Sequence, residues 1–69
     1  MTLTQLKYAI TVAHARSMNE AARRLFISQP SLSSAIKELE TEIGLDLFRR
    51  TNRGVSVTPE GEEFIGYAR

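Results

Sequence analysis

The sequence predicts a mainly α fold: three short helices, a small β-hairpin and the start of a fourth helix. Three observations carry this expectation. Apolar residues recur at helical spacing in segments that each open on a capping residue. β-prone runs occur only between Leu47 and Val57, around a polar turn. With 69 residues, four Gly, two Pro and no Cys, the chain has room for one small domain without a disulfide framework. A domain of this size buries only about 60% of the surface its unfolded chain exposes, so the fold should be simple and local, with no large active-site cavity.

The first helix is expected after Thr4 as N-cap, with Leu6, Ala9, Ile10 and Ala13 on one face. The second opens at Ser17-Met18-Asn19-Glu20, a capping-box sequence, and runs through Ala21, Ala22 and Leu25. Its paired alanines let another helix approach closely. Phe26 and Ile27 connect to a third helix capped by Ser28, with Gln29 and Pro30 in its first turn. Leu32, Ile36, Leu39 and Ile43 make its buried side; Pro30, Ser34, Lys37 and Thr41 lie opposite, flanked by Ser33, and Gly44 supplies a left-handed stop. Leu47-Phe48-Arg49 and Val55-Ser56-Val57 read as strands around the turn Arg50-Thr51-Asn52-Arg53-Gly54. Thr58 and Pro59 then start a last helix, whose acids Glu60, Glu62 and Glu63 suit the positive end of the helix dipole. Phe64, Ile65, Tyr67 and Ala68 offer more apolar surface than so small a core easily covers.

The formal net charge of +1 hides a strong segregation: residues 1–37 carry +4, residues 38–46 carry −4, residues 47–57 carry +3 and residues 58–69 carry −2. Such patterning can give a nearly neutral domain one cationic face, which suits an anionic polymer. Two helices joined by a turn of about three residues, the second with a polar outward face, form a helix-turn-helix, and a following hairpin makes it winged. Met18, Ala22, Leu25, Ser28, Leu32 and Ile36 hold that motif together. Gln29, Pro30, Ser31, Ser33, Ser34 and Lys37 on the third helix, with Arg50 and Arg53 on the wing, are the candidate DNA-binding residues. Small serines let the helix backbone approach base edges, Gln29 can offer a bidentate amide to adenine, and Pro30 can meet a thymine methyl. Lys37, Arg23 and Arg24 carry charge toward phosphates, and Arg50 and Arg53 give a cationic tip suited to a minor groove.

The ordered set Ala21-Ala22, Leu25, Ser28-Gln29-Pro30, Ser33, Ile36, Leu39-Glu40, Gly44, Leu47-Phe48, Arg50, Thr58 and Gly61 closely resembles the N-terminal DNA-binding domain of LysR-type transcriptional regulators, over the whole chain. The resemblance implies a bacterial winged helix-turn-helix over residues 1–58 and the start of a dimerising linker helix over residues 59–69, with Phe64, Ile65 and Ala68 in the dimer seam. Gln29, Pro30 and Ser33 match the family's base-reading positions, and Arg53 matches its wing arginine. Ser34 stands where the family often has Arg, and Arg49 where it often has an acid, which adds charge to the wing. The resemblance further implies double-stranded DNA and a second copy of the chain as partners. A tetramer in the full-length protein, and a small-molecule effector bound only through a larger C-terminal domain, follow from it as well.

Other function classes fit less well. No nucleophile elbow or phosphate-cradling glycine loop is present, and the single His14 has no titratable partner nearby in sequence, so enzymatic chemistry lacks its components. Glu38, Glu40, Glu42 and Asp46 lack the spacing of a calcium loop and read as a solvated face. With no Cys and a single His no metal or cofactor site is expected, and no membrane association is expected, since no apolar run exceeds three residues. The lack of Cys suits a reducing cytoplasm. A winged helix built for protein contact would favour aromatic or Met anchors, and the outward face of the third helix has none.

Overall fold

Side-chain caps decide where the helices begin. The computed structural model describes residues 1–68, with side chains described through Gly66. It contains α1 (Leu3–Ala15), α2 (Met18–Leu25), α3 (Gln29–Ile43), β1 (Phe48–Thr51), β2 (Gly54–Val57) and α4 (Pro59–Ala68). The cap of α1 is Thr2, not Thr4: Thr2 Oγ1 accepts from the Gln5 amide and Gln5 Oε1 accepts from the Thr2 amide, both at 3.0 Å. This reciprocal pair satisfies two donors that a start at Thr4 would leave open. At Ser17 only half of the expected box forms. Ser17 Oγ accepts from the Glu20 amide at 3.2 Å, while the Glu20 carboxylate turns to Arg23 and Arg24.

Three left-handed residues end the first three helices: Arg16, Phe26 and Gly44, with φ of 57, 59 and 73°. Gly44 follows the sequence expectation, whereas Arg16 and Phe26 adopt the conformation without the usual glycine. At Phe26 the Ile27 amide donates back to the Ala22 carbonyl at 3.1 Å, which turns the chain within three residues into the Ser28 cap of α3. The Phe26 side chain is 94% exposed.

The core is Ala9 and Val12 of α1, Met18, Ala21 and Ala22 of α2, Leu32, Ile36 and Leu39 of α3, with Leu47 and Val55 closing it from the wing side. Ala9, Ala21 and Leu32 are wholly inaccessible, so the small residues of α1 and α2 stand where the helices approach each other most closely. Ile65 of α4 is 3% exposed, and Phe64 packs partly against the core.

β1 and β2 pair antiparallel, with Phe48 opposite Val57, Arg50 opposite Val55 and Thr51 opposite Gly54. The turn is therefore Asn52-Arg53 alone, shorter than the five residues expected, and Leu47 lies in the core ahead of β1. The turn shortens because Thr51 Oγ1 accepts from the Arg53 amide at 3.2 Å and Gly54, at φ 127°, resumes pairing at once.

Several contacts anchor the base of this wing. The Val55 amide donates to the Arg16 carbonyl at 3.0 Å, and the Thr58 amide donates to the Leu47 carbonyl at 3.0 Å. The buried Thr58 hydroxyl donates to the Asp46 carbonyl and accepts from the Gly61 amide at 2.9 Å, capping α4. Glu40, read from sequence as a solvated acid, instead accepts through Oε2 from the Leu47 and Phe48 amides at 2.7 and 3.2 Å. One carboxylate thus ties α3 to the start of β1. Glu40→Ala would leave two amides, one on a fully buried residue, without an acceptor, and should lower stability by about 2–3 kcal/mol. Glu40→Gln keeps an acceptor oxygen and should cost less than half as much, which thermal unfolding of the two variants will measure.

Candidate nucleic-acid interface

α3 divides lengthwise by its 3.6-residue period. Leu32, Ile36 and Leu39 are buried, while Pro30, Ser31, Ser34, Lys37, Glu38, Thr41 and Glu42 are exposed, with Gln29 and Ser33 half-buried between the two sides. Of the helix-turn-helix residues named from sequence, Met18, Ala22, Leu32 and Ile36 are buried, Leu25 packs against the core, and Ser28 caps α3 by accepting from the Ser31 amide at 3.2 Å. Ser28 Oγ also donates to Ser31 Oγ at 2.8 Å. That bond leaves the Ser31 hydroxyl hydrogen available at the helix start.

The polar groups on this face have few partners inside the protein. Among the described residues, the side chains of Gln29, Ser34 and Lys37 make no hydrogen bond or ion pair. Ser33 accepts from Arg50 Nη2 at 2.7 Å, a bond that spans from α3 to β1. Ser33, Ser34, Lys37 and Arg50 line one groove between α3 and the wing, with Met18, Phe48 and Val55 at its floor. The wing's register explains how Arg50 gets there. Directly opposed residues of an antiparallel pair share a face, and the partner of Arg50 is the buried Val55. Arg49, opposite Ser56, lies on the other face, toward solvent.

Charge sharpens the site. Among the described residues, no carboxylate lies within ion-pair distance of Lys37, Arg49, Arg50 or Arg53. Arg23 and Arg24, expected to reach phosphates, both pair with Glu20, at 3.6 and 3.2 Å, which blunts the charge of that end of α2. Glu38 and Glu42 are exposed beyond Lys37 on α3, Glu42 against the N-terminal ammonium of Met1, so an anionic polymer would be repelled from that end of the helix chiefly by Glu38.

Two residues of the expected dimer seam have described side chains. Ile65 is 3% exposed within the single chain, so it leaves little apolar surface free for a second copy. Phe64 is half-buried and borders a shallow groove with Leu45, Glu60 and Glu63. The side chain of Ala68 lies outside the described residues. Three features that position the site were missed in sequence: the Glu40 tether, the Arg16 carbonyl that receives the wing, and the Arg50–Ser33 bond. For Glu40 a signal was present, since it follows Leu39 and lies one turn beyond Ile36 on α3, beside the buried stripe.

The family described as bacterial regulatory helix-turn-helix protein, lysR family, matches residues 3–62. The transcriptional regulator BudR of Klebsiella aerogenes is 52% identical over 64 residues, covering 93% of this chain and 45% of BudR. A crystal structure of the BenM DNA-binding domain with catB site 1 DNA, BenM being a regulator of Acinetobacter baylyi, superposes with a TM-score of 0.92 at 44% identity, over 99% of this chain and 73% of that one. A complex of the CbnR DNA-binding domain with DNA gives 0.95 at 42% identity, over 100% and 79% of the two chains. The chain spans 20% of a regulator from Bacillus subtilis and 45% of BudR, less than half of either.

Proposed function

The chain belongs to the LysR family of bacterial regulatory helix-turn-helix proteins and has the winged fold of that family's DNA-binding domain; from that premise we propose that it binds double-stranded DNA sequence-specifically to regulate transcription in the cytoplasm. The N-terminal half of α3 enters the major groove and the Asn52-Arg53 tip lies in the minor groove. The observation that supports this is the pair of unpartnered groups Ser34 and Lys37 on the exposed face of α3, with the unpartnered Gln29 amide at its N-terminal rim and Arg50, which has no carboxylate partner, bordering the groove. In this reading Gln29, Pro30, Ser31, Ser33 and Ser34 meet base edges, and Lys37 meets a phosphate.

Residues 1–58 act as the DNA-binding unit and residues 59–69 begin a helix that brings two copies together, with Phe64 as its available apolar contact. Two-fold pairing would set the recognition helices about 34 Å apart, or a multiple of it, on one side of the duplex. Any tetramer or small-molecule effector belongs to a longer chain with a further domain.

Two variants test this placement on a duplex of selected sequence. Lys37→Ala should weaken binding almost equally for all sequences and reduce the slope of log affinity against log salt by about one. Arg53→Ala should weaken binding most where the flank is A·T-rich, because a narrow minor groove concentrates negative potential. Equal loss on all flanks would move Arg53 out of the minor groove, and affinity insensitive to salt would favour a protein partner.

A further inference from the structure

We propose that Arg50 is a positioning residue that fixes the Ser33 hydroxyl as a donor, so that Ser33 selects a base edge offering an acceptor and rejects one offering an amino group. The inference rests on the DNA-binding reading and specifies how one of its contacts discriminates.

The wing's register turns Arg50 toward α3, and its Nη2 reaches Ser33 Oγ at 2.7 Å. A guanidinium can only donate, so this bond occupies a lone pair of the serine oxygen and leaves the hydroxyl hydrogen to find an acceptor elsewhere. Thr11 returns its hydroxyl hydrogen to the Lys7 carbonyl at 2.9 Å, and Ser56 donates to the Arg49 carbonyl at 3.4 Å. Ser33 has no such acceptor among the described residues. A charge-assisted bond into the oxygen also polarises the O–H outward, and a cation beside the remaining lone pair disfavours a second N–H donor there. Purine N7, guanine O6 and thymine O4 are therefore suitable partners; the amino groups of cytosine and adenine are not.

Arg50 is free to serve in this way because no carboxylate competes for it. Glu40 lines the same groove, yet its Oε2 is engaged by the Leu47 and Phe48 amides. The Arg50–Ser33 bond joins residues 17 apart in sequence, and so links the wing to the reading face of α3.

The test measures relative affinity for all four base pairs at each position of a selected duplex, using the wild-type chain, Arg50→Met, Arg50→Lys, Ser33→Ala and the double variant Arg50→Met/Ser33→Ala. Arg50 is exposed, and unfolding midpoints check that each variant folds. Arg50→Met should erase, at the same base pair that Ser33→Ala flattens, a preference of about tenfold. The double variant should be no flatter there than either single one. Arg50→Lys, which keeps a charge but not the fork, should retain most of the salt slope and part of the preference. The inference is overturned if Arg50→Met lowers affinity evenly for every sequence, or flattens a different position from Ser33→Ala. If the wild-type chain itself shows no sequence preference, the DNA-binding reading fails first and this inference fails with it.

Discussion

Gly61→Ala is expected to lower stability by about 3 kcal/mol or more, a large part of what a domain of this size possesses. A Cβ at Gly61 would stand 2.3 Å from the Leu47 carbonyl oxygen and 2.9 Å from Val57 Cγ1. The valine methyl can rotate away. The carbonyl cannot, because it accepts from the Thr58 amide at 3.0 Å and Leu47 is wholly buried. α4 would have to lift from the base of the wing, releasing the Gly61 amide from Thr58. The unfolding midpoint should fall by roughly 10–20 °C. Gly66→Ala is the matched control: nothing lies within 4 Å of that position, and the change should raise stability by about 0.5–1 kcal/mol through helix propensity. A midpoint unchanged in Gly61→Ala would show that α4 does not pack on Leu47 as described.

Gly54→Ala should have the next largest effect, about 2–3 kcal/mol, and should reach DNA binding as well. Gly54 adopts φ 127°, a region that L side chains rarely enter, and a Cβ there would stand 2.5 Å from the Arg16 carbonyl oxygen. That carbonyl receives the Val55 amide at 3.0 Å, so relief of the clash costs the bond that holds the wing against the end of α1. The expected result is a lower unfolding midpoint together with weaker binding, and a loss of preference between A·T-rich and other flanks even at temperatures where the variant is folded. Arg53→Ala, at the exposed neighbouring position, should abolish the same flank preference with a stability change within about 0.5 kcal/mol. A folded Gly54→Ala chain that keeps its flank preference would separate wing placement from this contact.

Much of this molecule is legible in its sequence because its elements are local. The extent of α3 followed from the Ser28 cap, the period of Leu32, Ile36 and Leu39, and Gly44, and each lies where that pattern put it. The start of α1 did not, because Thr2 and Thr4 are both competent caps and only the Gln5 side chain decides between them. The left-handed ends at Arg16 and Phe26 carry no glycine to announce them. Long-range ties were the least legible. Glu40 looked like one acid among four until the amides of Leu47 and Phe48, seven and eight residues away, supplied its partners. The pairing of Arg23 and Arg24 with Glu20 and the burial of Ile65 within the chain were not read from sequence either. In the candidate site, the exposure of Ser34 and Lys37 and the place of Gln29 at the rim follow from the helical period; that Arg50, named from sequence as part of the wing tip, turns toward α3 depends on a strand register that no local pattern states.

Whether the N-terminal half of α3 reads duplex DNA is decided by selection of bound sites from a random duplex pool, repeated with Gln29→Ala. The wild-type chain should enrich a consensus for which its affinity falls steeply with salt, and Gln29→Ala should lose about 1–3 kcal/mol on that site with relaxed preference at one base pair per half-site. An unenriched pool, or a Gln29→Ala consensus identical at every position to the wild-type one, would contradict that role of α3.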